Sequence, residues 1–309
     1  MSNQQSPTEL MFWDAHQIRQ IDGFWYLVKS ADHMAAFRSR FQPRSDDIVL
    51  TTFRKTGTTW LKALCYNILD KEQDQDLLAM KNPHEVVPTL ENTFLEDRVQ
   101  DILLRFPPAG RLLHTHLPYS YLPEAVTDSR CKIVYLARNP KDTVVSMWHF
   151  YNKLFKSGPG DEPYPLEGAV ESFCTGIMPF GPFYEHVVGY WEESRRRPQE
   201  VLFLKYEDLW REPKEQVRKL ASFLGKPFAQ LEDGDGELGK VLWRSSLERL
   251  KELEVNKYGI GELNHVLNST FFRQGTVRDW ENYLIPQMAQ RIDQLTQSKL
   301  QGTELSLDD

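Results

Sequence analysis

The chain has 309 residues, 40% of them hydrophobic and 26% charged, enough apolar material for a sizeable core and too much for a disordered polymer. A formal net charge of −7 argues against a nucleic-acid binder, so any anion site has to be a local basic cluster on an acidic protein. Cys65, Cys131 and Cys174 are far apart and form no C-x-x-C pair, which fits reduced thiols in a cytoplasmic protein.

In chain order, the opening MSNQQSPTEL is polar and lacks the apolar core of a signal peptide, and residues 1–20 read as a flexible segment ahead of one domain over 21–296. No stretch approaches the roughly 18 apolar residues of a membrane span. DIVLTTF (47–53) reads as a buried strand and TWLKALCYNIL (59–69) as a helix. RLLHTH (111–116), CKIVYLAR (131–138) and VLFLKY (201–206) read as further strands. Helical patterns occupy 140–155, 182–197, 211–224 and 286–300, and residues 297–309 read as a frayed polar tail. The Gly-, Pro- and acid-rich stretches 158–168 and 225–240 read as loops. The alternation implies a single α/β domain with a central, mainly parallel sheet flanked by helices, P-loop-like in form. Ligands in such folds sit beyond the carboxyl ends of the strands, where Lys55, His116, Arg138 and Tyr206 fall.

Two junctions carry chemistry. In KTGTT, a glycine turn runs into a helix start, which reads equally as an ordinary strand–turn–helix with a threonine cap or as a turn whose unpaired N–H groups and helix dipole favour an anion. Thr56, Thr58 and Thr59 add hydroxyls and Lys55 a charge. The nucleotide-triphosphate loop places its lysine after its second glycine, whereas Lys55 precedes Gly57, so a single phosphate or sulfate suits this turn better. In ARNPKDTVVSMWHF (137–150), Asn139 is a helix N-cap, Pro140 takes the first helical position, and Arg138 ends the strand. That arginine suits a phosphate monoester or a pairing with Asp142.

With "GFWYLVK", "KTGTTWLKAL", "NPHEVVPTLE", "THLPYSYLP", "ARNPKDTVVSMWHF", "LFLKYEDLWREP", "SSLERLKELEVN" and "FFRQGTVRDWENYL" in order, nearly the whole chain resembles the cytosolic sulfotransferases of plants. The resemblance implies transfer of a sulfonate from 3′-phosphoadenosine 5′-phosphosulfate (PAPS) to a hydroxyl of a small, largely apolar plant hormone or secondary metabolite. Adenosine 3′,5′-bisphosphate is the product, and no metal or membrane is needed. It implies that residues Lys55, Thr56, Gly57, Thr58, Thr59 and Trp60 hold the 5′-phosphosulfate, with Trp60 near adenine. Arg138 and Ser146 take the 3′-phosphate and Tyr206 an adenine contact. Ser245, Ser246, Leu247, Glu248, Arg249 and Leu250 match a further nucleotide segment. Arg273, Gln274 and Gly275 match a late loop over the 3′-phosphate. His116 matches the general base, and Lys55 would stabilise the leaving phosphate. His114, two residues away on the same side of its strand, is a candidate for touching the acceptor or for packing. Phe24, Trp25, Phe150, Tyr151, Phe155, Phe180 and Tyr184 are candidate acceptor walls.

The chain departs from the family pattern at Arg54, usually proline, at Gln274, usually lysine, at Leu247, usually phenylalanine, and at Arg278, usually glycine. Arg278 is expected to restore the charge lost at Gln274. ENYLIPQMAQ (281–290) lacks the dimer motif of animal relatives, so a monomer is expected. The same departures leave open a nucleotide-binding, sulfotransferase-like protein with weak or no catalysis.

Overall fold

Within residues 1–20, read as a flexible segment, the described residues form one strand and most of a second, and 1–7 and 14–15 lie outside them. β1 (Glu9–Phe12), β2 (His16–Ile21) and β3 (Phe24–Leu27) pair antiparallel in that order. Phe12 and Ile18 are fully buried, and these two apolar anchors hold an otherwise polar segment to the domain. This computed structural model describes all residues except 1–7, 14–15, 73–74, 92–109, 157, 159, 230–235, 262–264 and 309.

The expected buried strands form the central sheet. β4 (Ile48–Thr52), β5 (Leu112–Thr115), β6 (Lys132–Ala137) and β7 (Val201–Lys205) pair in parallel in the order β5-β4-β6-β7. Register places Thr51 opposite Thr115 and Tyr135, so the three strand ends lie side by side. Successive strand residues face opposite sides. Val49, Leu113, Ile133 and Tyr135 enter one apolar cluster, and Leu50, Leu112, Val134 and Leu136 enter another. Helices cover both faces, which is why every strand here reads as a near-continuous apolar run.

The first cluster takes residues from α1 (Val28–Arg40), α4 (Pro140–Phe155), α5 (Leu166–Thr175), α6 (Phe183–Arg196) and α11 (Pro286–Leu300). The second takes them from α2 (Thr58–Leu69), α7 (Tyr206–Arg211), α8 (Pro213–Leu224) and α9 (Glu237–Ser245). The short α3 (Pro83–Val86) and α10 (Leu247–Glu252) lie between these in sequence. α5 and α9 begin inside the stretches read as loops. The tail is also better held than expected. α11 runs to Leu300, Leu305 and Leu307 are buried, and the Trp191 indole donates to the Thr303 carbonyl at 2.7 Å. Its three leucines outweigh the polar composition around them.

At the opposite end of the sheet from the site, Arg111 donates to the Asp47 carboxylate through Nε at 2.7 Å and Nη2 at 2.5 Å, with both residues buried. The pair ties the start of β5 to the start of β4. Arg111→Ala leaves a buried carboxylate without its partner and is expected to destabilise the fold by about 3–5 kcal/mol in urea unfolding.

Candidate active site

The turn between β4 and α2 is built from unusual backbone conformations. Lys55 has φ 68° and Gly57 φ 110°. Gly57 caps α2, and an added Cβ there would lie 2.7 Å from Tyr206 and 2.9 Å from Leu136. Both the left-handed φ and the close approach therefore demand glycine. The Thr56 hydroxyl lies 2.9 Å from the carbonyls of both Phe53 and Leu136, so it fastens the turn to β6 instead of facing a ligand. Gly57, Thr58, Thr59 and Trp60 line a cavity of about 540 Å³. The first amides of α2 have no intrahelical acceptor and open on that space.

His116 follows β5 and faces the same cavity. Its Nδ1 lies 2.8 Å from the Thr52 carbonyl, an acceptor only, so Nδ1 carries the proton and donates. The ring is thereby held as the tautomer with a bare Nε2. Its backbone is held too: the amide donates to Glu91 Oε1 at 2.5 Å, and the carbonyl accepts from His186 Nε2 at 2.9 Å. Burial first, and then the Arg54 guanidinium, push the imidazole well below its usual value, so it is neutral at working pH.

His114 does not line the cavity. It is fully buried, with Nε2 3.0 Å from the Thr52 hydroxyl and Nδ1 3.2 Å from the Thr89 hydroxyl. Thr89 also accepts from Lys62, which donates in addition to the Val87 carbonyl at 2.8 Å and meets His84 at 3.2 Å. His84 reaches the Thr59 hydroxyl at 2.9 Å. The Thr52 hydroxyl lies 2.7 Å from that of Thr58. A buried polar network therefore runs behind the turn and the base. The sequence alone did not single out Lys62, His84, Thr89 or Glu91, although all lie in or beside matched motifs.

Cations crowd the other half of the cavity. Lys55 Nζ stands 4.2 Å over the Phe150 ring, and burial followed by Arg138 and Arg273 brings its pKa down to about 7. Arg138 donates to the Thr276 carbonyl at 2.8 Å, lies 3.5 Å from Asp142 and stacks 4.5 Å over Tyr206. Asn139 caps α4 by accepting from the Lys141 and Asp142 amides, with Pro140 at its first position as expected. Arg273 pairs with Asp279. Nε of Arg138 and of Arg273 is buried with no hydrogen-bond partner, as donors awaiting an anion would be. Trp60 and Tyr206 meet edge to face at 5.3 Å, and with Leu247 they offer an apolar slot of the kind a purine fills. The Tyr206 hydroxyl donates to the Gly275 carbonyl at 2.8 Å and so holds the late loop over the cavity.

Of the anticipated residues, Lys55, Gly57, Thr58, Thr59, Trp60, His116, Arg138, Ser146, Phe150, Phe180, Tyr206, Ser246, Leu247, Glu248, Arg273 and Gly275 line this one cavity. Several others do not. Ser245 accepts from Asn67 at 2.9 Å, Arg249 pairs with Asp76, and Leu250 is fully buried. Gln274 is exposed outside the lining. Phe24, Trp25, Tyr151 and Tyr184 are buried in the core, and Phe155 packs against His16. Arg278 does not replace the missing charge: its guanidinium is largely exposed and donates to Glu281 at 2.9 Å through Nε. Its φ of 60° explains why glycine is usual there. Arg54, singled out only as a departure, lines the cavity beside His116 and Glu91.

A family model described as "Sulfotransferase domain" matches residues 45–304. Cytosolic sulfotransferase 5 of Arabidopsis thaliana is 40% identical over 295 residues, covering 93% of this chain and 90% of its own. Cytosolic sulfotransferase 6 of the same plant is 40% identical, covering 92% and 87%. A crystal structure of a proposed Arabidopsis thaliana steroid sulphotransferase superposes with a TM-score of 0.76 at 31% identity, covering 98% and 93%. A mouse sulfotransferase, SULT7A1, complexed with PAP gives 0.69 at 26%, covering 92% and 94%. Among the described residues, no helix is long and apolar enough to cross a membrane.

Gly57→Ala places a methyl group against Tyr206 in a conformation alanine resists. It is expected to lower stability by more than about 1 kcal/mol, read as an earlier urea midpoint with an unchanged slope.

Proposed function

The chain belongs to the plant cytosolic sulfotransferase family and is a sulfotransferase, and from that premise we propose which of its residues do the work. We propose that it uses PAPS as sulfonate donor, acts on a hydroxylated small molecule such as a plant hormone or secondary metabolite, and works in the cytosol, as its relatives' names say of them. The observation that carries this reading is the bare Nε2 of His116, fixed by the 2.8 Å bond to Thr52 and facing the same cavity as the Lys55 turn.

The residues fit the nucleotide. Arg138, Arg273 and Ser146 would hold a 3′-phosphate, where two arginine Nε atoms lack partners. Trp60, Tyr206 and Leu247 would hold the adenine. Lys55 and the first amides of α2 would hold the 5′-phosphosulfate. When bound, PAPS supplies a sulfonate whose bond to the phosphate is broken as the acceptor oxygen attacks sulfur. His116 Nε2 takes the acceptor's hydroxyl proton, and the Thr52 carbonyl steadies the imidazolium through Nδ1–H. Lys55 faces the charge that develops on the departing phosphate and acts mainly in the transition state. The phenyl rings of Phe150 and Phe180 keep this end of the cavity apolar.

His116→Ala is expected to cut kcat by about 10²–10⁴ while calorimetry shows adenosine 3′,5′-bisphosphate bound as in the native protein. Lost bisphosphate binding in a folded variant would make His116 part of the nucleotide site instead.

Lys55 gives a second test. Its pKa is about 7 in the free protein, and a bound anion raises it. Above pH 7 the complex therefore holds more protons than its separate parts. Bisphosphate binding at pH 8 is expected to take up protons, seen calorimetrically in buffers of different ionisation heat, and affinity is expected to fall as pH rises. Lys55→Met should abolish both the uptake and the slope.

A further inference from the structure

The three arginines around the cavity are not equivalent. Arg138 has Asp142 at 3.5 Å and Arg273 has Asp279 as its partner. Among the described residues no carboxylate lies within ion-pair distance of Arg54, and its Nε is buried without a hydrogen-bond partner. The nucleotide reading absorbs Arg138, Arg273 and Lys55 and leaves Arg54 unused. Its aromatic neighbour differs from theirs. Its Cζ lies 4.9 Å from the Phe180 ring centroid, and the His116 ring lies 5.5 Å from the same ring. A partly desolvated guanidinium in an aromatic wall is costly unless a ligand completes it. Arg54 stands on the Phe180 side of the base, at a position where proline would leave neither charge nor donors.

Resting on the sulfotransferase reading above, we propose that Arg54 is a specificity residue that binds an anionic group of the acceptor, so that the substrate is a hydroxylated carboxylic acid with its hydroxyl at His116 and its carboxylate on the guanidinium. Both side chains neighbour one phenyl ring, so one small acceptor can reach both. Planar, bidentate recognition of a carboxylate is what a guanidinium does and an ammonium does not. Glu91 lines the same space, with Oε1 taken by the His116 amide and Oε2 without a partner. Burial raises its pKa against the opposing pull of the His116 amide and of Arg54 itself, the direction that reduces repulsion between it and a second carboxylate.

The test compares 3- and 4-hydroxybenzoate with their methyl esters as acceptors, in the native protein, Arg54→Gln and Arg54→Pro. Turnover is read as sulfonated product by mass spectrometry, and acceptor binding by calorimetry on the enzyme loaded with adenosine 3′,5′-bisphosphate. The native protein is expected to favour acid over ester in kcat/KM by roughly 10- to 100-fold, the span of one charge-assisted hydrogen bond or a bidentate pair. Both variants are expected to lose that preference and the calorimetric binding of the acids, while still binding the bisphosphate and turning over the esters.

An acid-to-ester ratio near one in the native protein overturns the proposal and leaves the sulfotransferase reading intact. A ratio unchanged by substitution, with a raised KM for PAPS, overturns it by giving Arg54 to the nucleotide's sulfonate. Equal loss of kcat on acids and esters overturns it by making Arg54 an aid to the reacting oxygen. Failure of the native protein to bind bisphosphate would count against the nucleotide site itself, and acid binding to that protein without nucleotide would still support Arg54.

Discussion

The bond from His116 Nδ1 to the Thr52 carbonyl joins the two halves of the proposed chemistry. Thr52 is the last residue of β4, and the anion turn begins one residue later. His116 lies just past the end of β5, the neighbouring strand. One main-chain carbonyl therefore fixes the tautomer of the proposed base and its distance from the turn proposed to hold the leaving group. The rest of the sheet serves this registration. Two strands of other lengths or another register would carry the same residues without bringing Nε2 to the cavity. The hydroxyls of Thr52, Thr58 and Thr89, with His114 between them, fill the space behind and leave the carbonyl little freedom to turn away.

Electrostatics sets a second condition. An acidic chain gathers Arg54, Lys55, Arg138 and Arg273 around one cavity. Burial first, and then their mutual repulsion, lower the proton affinity of Lys55, and burial followed by Arg54 does the same for His116. The two effects have opposite uses. A histidine kept neutral is ready to receive a proton, whereas a lysine brought near neutrality regains its charge when an anion arrives. The free protein thus holds part of its binding energy in crowded cations, and an anionic ligand relieves it.

Much of this was legible in the residues because strand and turn signals are local. β4 to β7 appear as apolar runs, and the Asn139-Pro140 cap and the Gly57 turn follow from backbone conformation at single positions. What stayed hidden depends on rotation about an axis or on distant partners. Ser245 through Leu250 reads as one block, yet the turns of α9 and α10 send Ser246, Leu247 and Glu248 into the cavity and Ser245, Arg249 and Leu250 away from it. Thr56 sits amid ligand-facing neighbours and spends its hydroxyl on the carbonyls of two strand ends. Arg278 shares a loop with Arg273, but its left-handed backbone points the chain toward Glu281. The strands near the amino terminus were missed because two buried side chains among polar ones make a weak period. Their stability comes from contacts far along the chain.

The sheet order has a further consequence. Among the described residues β5 is the outermost strand on its side, and the short Pro88–Thr89 stretch meets His114 beyond it through a single bridge. β4, which carries the anion turn, is flanked by strands on both sides. A strand at the margin of a sheet opens at lower free energy than a central one. On heating, fluctuations at this margin would displace the imidazole while the proposed nucleotide cradle persisted, and with His116 as the proposed base the molecule would stop turning over before it melted.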